Sequence, residues 1–203
     1  MHPITTVRGA IVSAFVLAIV VSLIITSVVA GGDAISFNHP QLDRWLHIVS
    51  GVMWIGLLYY FNVVQVPGLA DATADKAGPG GAGVNKYIAP RALWWFRWAA
   101  VLTWLTGAYY LQFGYAPGAI HKAFTFQQGF ETIGVGAWLG TIMLFNVWVL
   151  IWPNQKKVLG LVAANDEEKT KARKVALYAS RTNFILSVPM LMCMAGQTHG
   201  LPF

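Results

Sequence analysis

The stretch Trp45-Leu46-His47-Ile48-Val49-Ser50-Gly51-Val52-Met53-Trp54-Ile55-Gly56-Leu57-Leu58-Tyr59-Tyr60-Phe61-Asn62-Val63-Val64-Gln65 decides the fold class. From 46 to 66 the chain carries no Asp, Glu, Lys or Arg, and its side chains are overwhelmingly aliphatic or aromatic. A helix of about 20 such residues crosses a hydrocarbon core of about 30 Å. Four further segments read the same way, at about 10–30, 96–114, 133–152 and 177–196.

Composition agrees with that reading. Of the 203 residues, 56% are hydrophobic and 11% charged, whereas an average soluble domain carries roughly 25% charged residues. Mean hydropathy is +0.55. Such a chain cannot cover a water-facing surface, and intrinsic disorder, a nucleic-acid module and a disulfide scaffold are excluded. Cys193 is the single cysteine and forms no internal disulfide. The class is an all-α membrane protein, a single transmembrane domain over 1–203. The first segment follows Arg8 and ends in Ser27-Val28-Val29-Ala30, which resembles a cleavage site. Its apolar run is longer than the roughly 7–15 residues of a signal core, so it reads as a retained helix.

The net charge of +6 describes topology rather than a polyanionic partner. With the N-terminus cytoplasmic, Arg8, Lys76, Lys86, Arg91, Lys156, Lys157, Lys169, Lys171, Arg173 and Lys174 fall inside, and Arg44 and Lys122 outside. Arg97 and Arg181 lie at the inner ends of the third and fifth segments. The expected orientation is N-in, C-out, in a bacterial inner (cytoplasmic) membrane. The connection Pro67–Pro90, centred on Gly78-Pro79-Gly80-Gly81-Ala82-Gly83, reads as a mobile cytoplasmic connector, and Asp166-Glu167-Glu168-Lys169 as a solvated helical turn.

A shift of 84 residues aligns Trp54-Ile55-Gly56 with Trp138-Leu139-Gly140 and Phe61-Asn62-Val63 with Phe145-Asn146-Val147. It also places Leu93 on Leu177, Arg97 on Arg181 and His47 on Glu131. The expected architecture is five transmembrane helices: a four-helix core from two parallel helical-hairpin repeats, plus one flanking N-terminal helix. Gly56 and Gly140 are then expected to allow close helix approach. Asn62, Asn146, Arg97 and Arg181 share one depth towards the inside, where polar groups should face the bundle interior. They are either structural glue, each Asn bonding its own repeat's Arg or backbone, or a site holding an anionic substrate or a propionate.

Topology puts His39, His47, His121 and His199 on the outer side, with Glu131 at the position equivalent to His47. His39 and His121, in loops, read as solvated residues, and His2 as irrelevant. His47 opens a span beside Ser50 and Gly51, and His199 follows the last one. Two imidazoles from facing helices suit axial ligation of haem b. His47, Glu131 and His199 together would instead suit a non-haem transition metal. Trp94-Trp95-Phe96-Arg97-Trp98 reads as an interfacial belt, and Trp54 and Trp138 as the walls of an internal cavity. Gly134 and Gly136 fit a flat ligand beside Trp138 or simple close packing equally well.

Several of these blocks resemble the membrane domain of bacterial membrane-bound urate oxidases (urate hydroxylases). They are Trp45-Leu46-His47, Trp54 through Gln65, Arg91-Ala92-Leu93-Trp94-Trp95-Phe96-Arg97-Trp98, Asn146 through Lys157, and Arg181-Thr182-Asn183 through Leu191. The resemblance covers roughly His47 to His199. It implies a membrane redox protein that passes electrons to a cytochrome c-type acceptor. In that family a cytochrome c domain commonly follows; no Cys-x-x-Cys-His occurs here and the chain stops at Phe203, so the acceptor is expected to be a separate cytochrome c or another redox subunit docking on the outer side. A looser likeness, of pattern only, is to small four-helix haem-binding membrane proteins of the protoporphyrinogen-oxidising type. The resemblance leaves open a non-catalytic haem-binding or structural accessory subunit of a larger respiratory or oxygenase membrane complex. A transporter fits less well, because membrane-embedded carboxylates are nearly absent.

Overall fold

A computed structural model of the chain describes residues 5–30 and 36–202. The expectation about His2 falls outside them. Regular structure among the described residues is entirely helical. Helix α1 spans Val7–Ala30. Helix α2 runs His39–Ala74, with a π-helical stretch at Tyr60–Gln65. Helix α3 covers 84–115, α-helical over Ala89–Tyr109 and π-helical at Val84–Ile88 and Tyr110–Tyr115. The short α4 is Ala119–Phe124. Helix α5 runs Glu131–Val158, with a π-helical stretch at Asn146–Ile151, and α6 spans Asp166–His199.

All five expected segments are helical, but among the described residues three helices, not five, are long and apolar enough to cross a membrane: α1, α2 and α5. The other two fail for different reasons. Helix α3 is rich in Trp and Tyr, amphipathic rings that suit an interface more than a lipid core, and it carries Lys86, Arg91 and Arg97. Helix α6 spends its first half on Asp166-Glu167-Glu168-Lys169 through Arg181. The helices also run well beyond the expected bounds. The Pro67–Pro90 connection is largely helical, and its non-helical part shrinks to 75–81. Asp166-Glu167-Glu168-Lys169 does form a solvated helical turn, the first of α6. Asn165 caps it, its side chain accepting from Glu168 N at 2.8 Å while its own N–H donates to the Glu168 carboxylate at 2.9 Å.

The chain divides into two units, Met1–Asn38 and His39–Phe203. The first contributes α1, uncharged and mostly aliphatic after Arg8, with Ser13, Phe15, Ser22, Thr26 and Ser27 among the exceptions. The second is a bundle in which α2 packs chiefly on α3 and α5 on α6, with α3–α5 and α2–α6 contacts closing the ring. Its core comprises Trp54, Leu58, Phe61, Leu93, Phe96, Ala100, Met143, Val147 and Ile151. Phe61 meets Phe96 edge to face at 5.4 Å, which puts these middle stretches of α2 and α3 at one level.

Both π-helical stretches in α2 and α5 lie just before a proline, Pro67 and Pro153. A proline ring lacks the N–H and crowds the carbonyl four residues earlier, so the turn upstream widens. That region buries Asn62 and Asn146, 2% and 7% exposed. Asn62 Nδ2 donates to Leu58 O and to Ser180 Oγ on α6, both at 2.9 Å. Asn146 Nδ2 donates to Asn183 Oδ1 at 2.8 Å, and Asn183 Nδ2 donates to Met143 O at 2.9 Å. These amides stitch α6 to α2 and α5.

Candidate functional site

A cavity of about 760 Å³ opens within the bundle at the His47 end, inside the range of roughly 300–1,000 Å³ typical of ligand pockets. Helices α2, α3, α5 and α6 all contribute walls, among them Ile55, Leu111, Ile133, Ala137, Met190 and Met194. The lining is therefore mostly apolar, with a few polar groups at set places.

His47 is the chief of these. Its Nδ1 lies 2.7 Å from Thr103 O on α3. A carbonyl only accepts, so Nδ1 carries the proton and donates, leaving the lone pair on Nε2. This is how a ligating imidazole is held: one nitrogen fixes the ring and the other is free to bind. Gly107 makes the arrangement possible. A Cβ there would lie 2.7 Å from His47 Cε1 and 2.8 Å from Nδ1, so any side chain displaces the ring.

The floor is equally bare. Gly56 and Gly140 line the cavity, and a Cβ built on either meets nothing within 4 Å. Their expected role in close helix approach is thus replaced by one in keeping the cavity open. Close approach belongs instead to Gly134, which sits against the Ala123 carbonyl, and to Gly136, whose Cβ would come within 3.2 Å of Cys193 Cβ. For that pair close packing, not a flat ligand, is the explanation.

Gln197 closes the end of the bundle near His199. Its Oε1 accepts from Ile133 N at 2.9 Å, and its Nε2 donates to Gly129 O at 2.9 Å and to Tyr115 OH at 3.2 Å. One side chain of α6 thereby ties the start of α5 to the end of α3. Nothing in the sequence singled out Gln197, Thr103 or Gly107. A backbone carbonyl leaves no compositional mark, and a glycine opposite a histidine becomes meaningful only once the helix pairing is known.

Of the expected cofactor residues, His47, Trp54 and His199 line this cavity, with His199 exposed at its edge. Trp54 is 2% exposed, and its indole Nε1 is buried without a hydrogen-bond partner. Trp138 does not belong here. It is 42% exposed, and its Nε1 donates to Phe124 O at 3.1 Å, pinning α4 to α5. On α5 the inward positions are Ile133, Ala137 and Gly140, at helical spacing, and residue 138 is turned about 100° away from 137.

Glu131 is exposed at the start of α5 and is not a lining residue. Among the described residues no group of three or more His, Cys, Asp or Glu side chains comes together, so His47, Glu131 and His199 are not assembled as a metal set.

Arg97, Arg181, Asn62 and Asn146 are likewise not brought to the cavity. The two asparagines serve the helix contacts described above, and neither bonds an arginine. Arg181 is exposed on α6. Arg97 lies over the Trp152 ring at 3.7 Å and 6.0 Å from the Trp148 ring. The apparent equivalence of the two arginines ends there.

Comparison with known proteins finds no match among curated proteins or among solved structures. Residues 119–203 match the family described as urate oxidase N-terminal. That stretch carries α4, α5 and α6, hence Gly140, Gln197 and His199, while His47 and Arg97 precede it. Over 119–203, under half of its length, the chain is similar to the urate oxidase N-terminal family.

Proposed function

We propose that the chain is a membrane redox protein of the urate-oxidising type, whose bundle holds a b-type haem against His47. The observation that carries the proposal is the His47 geometry: Nδ1–H committed to Thr103 O, which leaves the Nε2 lone pair for a ligand, on a ring that lines a large apolar cavity kept open by Gly56 and Gly140. Those features fit a flat apolar macrocycle with one imidazole ligand. Such a group supplies one-electron transfer when bound.

The chain's own residues do the rest. Thr103 and Gly107 set the tautomer and tilt of His47, the apolar walls exclude water, and Gln197 holds the outer end of the bundle together. His199, on the same cavity, is the candidate second ligand. Packing of α3 and α6 against the two long apolar helices of the bundle supports embedding all four in lipid. The Lys and Arg bias of the loops supports an N-in, C-out orientation in a bacterial cytoplasmic membrane, with a cytochrome c-type acceptor docking outside. Urate as the electron donor rests on the family match alone.

The test is a dithionite-minus-ferricyanide spectrum of the purified protein beside His47→Ala. A b-type band lost in the variant, together with urate-dependent reduction of cytochrome c, is the expected result. A band without urate activity leaves the chain a haem-bearing electron-transfer subunit. No band in the native protein refutes the haem assignment.

A further inference from the structure

Of the Lys, Arg, Asp and Glu residues among those described, Arg44 alone lines the His47 cavity. It precedes His47 on α2 by three residues, a spacing that puts two side chains on one helix face. Arg44 is exposed where His47 is half-buried, so the guanidinium stands at the mouth and the imidazole further in. Its position is set by neighbours. Nη2 donates to Gln41 Oε1, and Cζ lies 5.8 Å from the Tyr110 ring centroid. Tyr110 is held in turn, at the start of the π-helical stretch of α3. Gly114 leaves room for its ring, since a Cβ there would lie 2.6 Å from Tyr110 Cδ2.

Among the described residues no carboxylate pairs with Arg44. Adjacent Asp43 is drawn instead to His39, at 3.5 Å, and neither Asp43 nor Glu131 lines the cavity. The other polar groups at this end of the lining are Tyr110, Tyr115, Gln197, Thr198 and His199, each able to donate a hydrogen bond. The cavity thus joins an apolar interior to a cationic rim, which suits an occupant with an apolar body and an anionic edge.

We infer that Arg44 binds a carboxylate of that occupant, a propionate of the haem proposed above, on which reading this inference rests. Haem b carries both its carboxylates on one edge of an otherwise apolar macrocycle. That edge belongs at the rim, where the planar fork of Arg44 receives the two oxygens of one carboxylate. Arg44 thereby decides which way round the ring enters, while His47 holds the iron.

The test uses the full chain purified in detergent from haem-limited cells. Haemin and haemin dimethyl ester, which keeps the macrocycle and removes both negative charges, are each titrated and followed by absorbance. In the native protein both give a ligated band that His47→Ala loses. Arg44→Gln weakens haemin binding about fivefold, the upper end for an exposed ion pair, and leaves the ester's affinity and the His47-dependent band unchanged. Arg44→Lys recovers part of the loss, and Arg173→Gln, on an exposed face of α6, alters neither titration. Added salt weakens haemin binding more steeply in the native protein than in Arg44→Gln. Haemin affinity unchanged in Arg44→Gln, or an equal loss for haemin and ester, overturns the assignment of Arg44 while the haem reading stands. A failure of both compounds to give a His47-dependent band refutes the haem reading and this inference with it.

Discussion

Gly107→Ala tests the reasoning about His47 most directly, because the substitution adds one methyl group at a place where the structure leaves none. The new Cβ would lie 2.7 Å from His47 Cε1 and 2.8 Å from Nδ1, well inside contact distance. The imidazole must swing away, and the 2.7 Å bond from Nδ1 to Thr103 O is lost. Overpacking of this kind costs about 1–3 kcal/mol, and the lost hydrogen bond about 1 kcal/mol. Replacing a helical glycine by alanine returns up to about 1 kcal/mol. The expected net loss is therefore about 1–3 kcal/mol.

Gly140→Ala is the matched control. Its Cβ meets nothing within 4 Å, so the propensity gain stands alone and stability holds or rises slightly. Thermal unfolding in detergent, with both variants beside the native protein, reads the difference. The reduced-minus-oxidised spectrum then reports whether the displaced ring still ligates: Gly107→Ala is expected to shift or lose the band, and Gly140→Ala to keep it. Equal unfolding temperatures for the two variants would refute the account of Gly107 as the space for His47.

Other expectations follow from the polar stitching of the bundle. Asn183→Leu strands Asn146 Nδ2 and removes the bond to Met143 O, and should cost about 1–2 kcal/mol; adding Asn146→Leu should recover part of that loss, seen as non-additive unfolding temperatures. Gln197→Leu removes three hydrogen bonds near the start of α5, and should speed hydrogen exchange there more than at the end of α5. Trp54→Phe deletes an indole N–H that has no partner, so it should be neutral or slightly stabilising by thermal unfolding, where loss of a used bond would cost about 1 kcal/mol.

Much of this molecule was legible before its folding. An apolar run needs no partner to declare itself, and the helical segments lie where the runs are, extended past Pro67 and Pro153 in α2 and α5 and back to the Asn165 cap in α6. Helix ends were less legible, since the Gly-rich connection hides helical turns that local composition disfavours. Membrane-crossing capacity was over-read in α3 and α6. Helix α3 mixes amphipathic Trp and Tyr rings and three cations with its aliphatic residues, and α6 is charged through its first half.

His47 stood out as a titratable residue opening an apolar segment, and the tertiary structure gives it a carbonyl partner and a cavity. Trp138 stood out by the same repeat arithmetic as Trp54, yet one ring is buried in the cavity wall and the other exposed against α4. The reason is rotational: alignment matches positions along a helix, but the direction a residue faces depends on what packs against that helix. The same holds for the glycines. Composition marks each as a place without a side chain, whereas only the neighbouring helix decides whether the gap holds a ring, as at Gly107, a backbone, as at Gly134, or open space, as at Gly140. The sequence by itself thus determined a helical, lipid-compatible chain with its ionisable groups sorted towards the segment ends, because hydrophobic transfer acts residue by residue. The tertiary structure alone decided which of those groups meet: His47 and the Thr103 carbonyl on one side, Arg97 and two indoles on the other. Such meetings depend on the register and rotation of packed helices, which no single segment encodes.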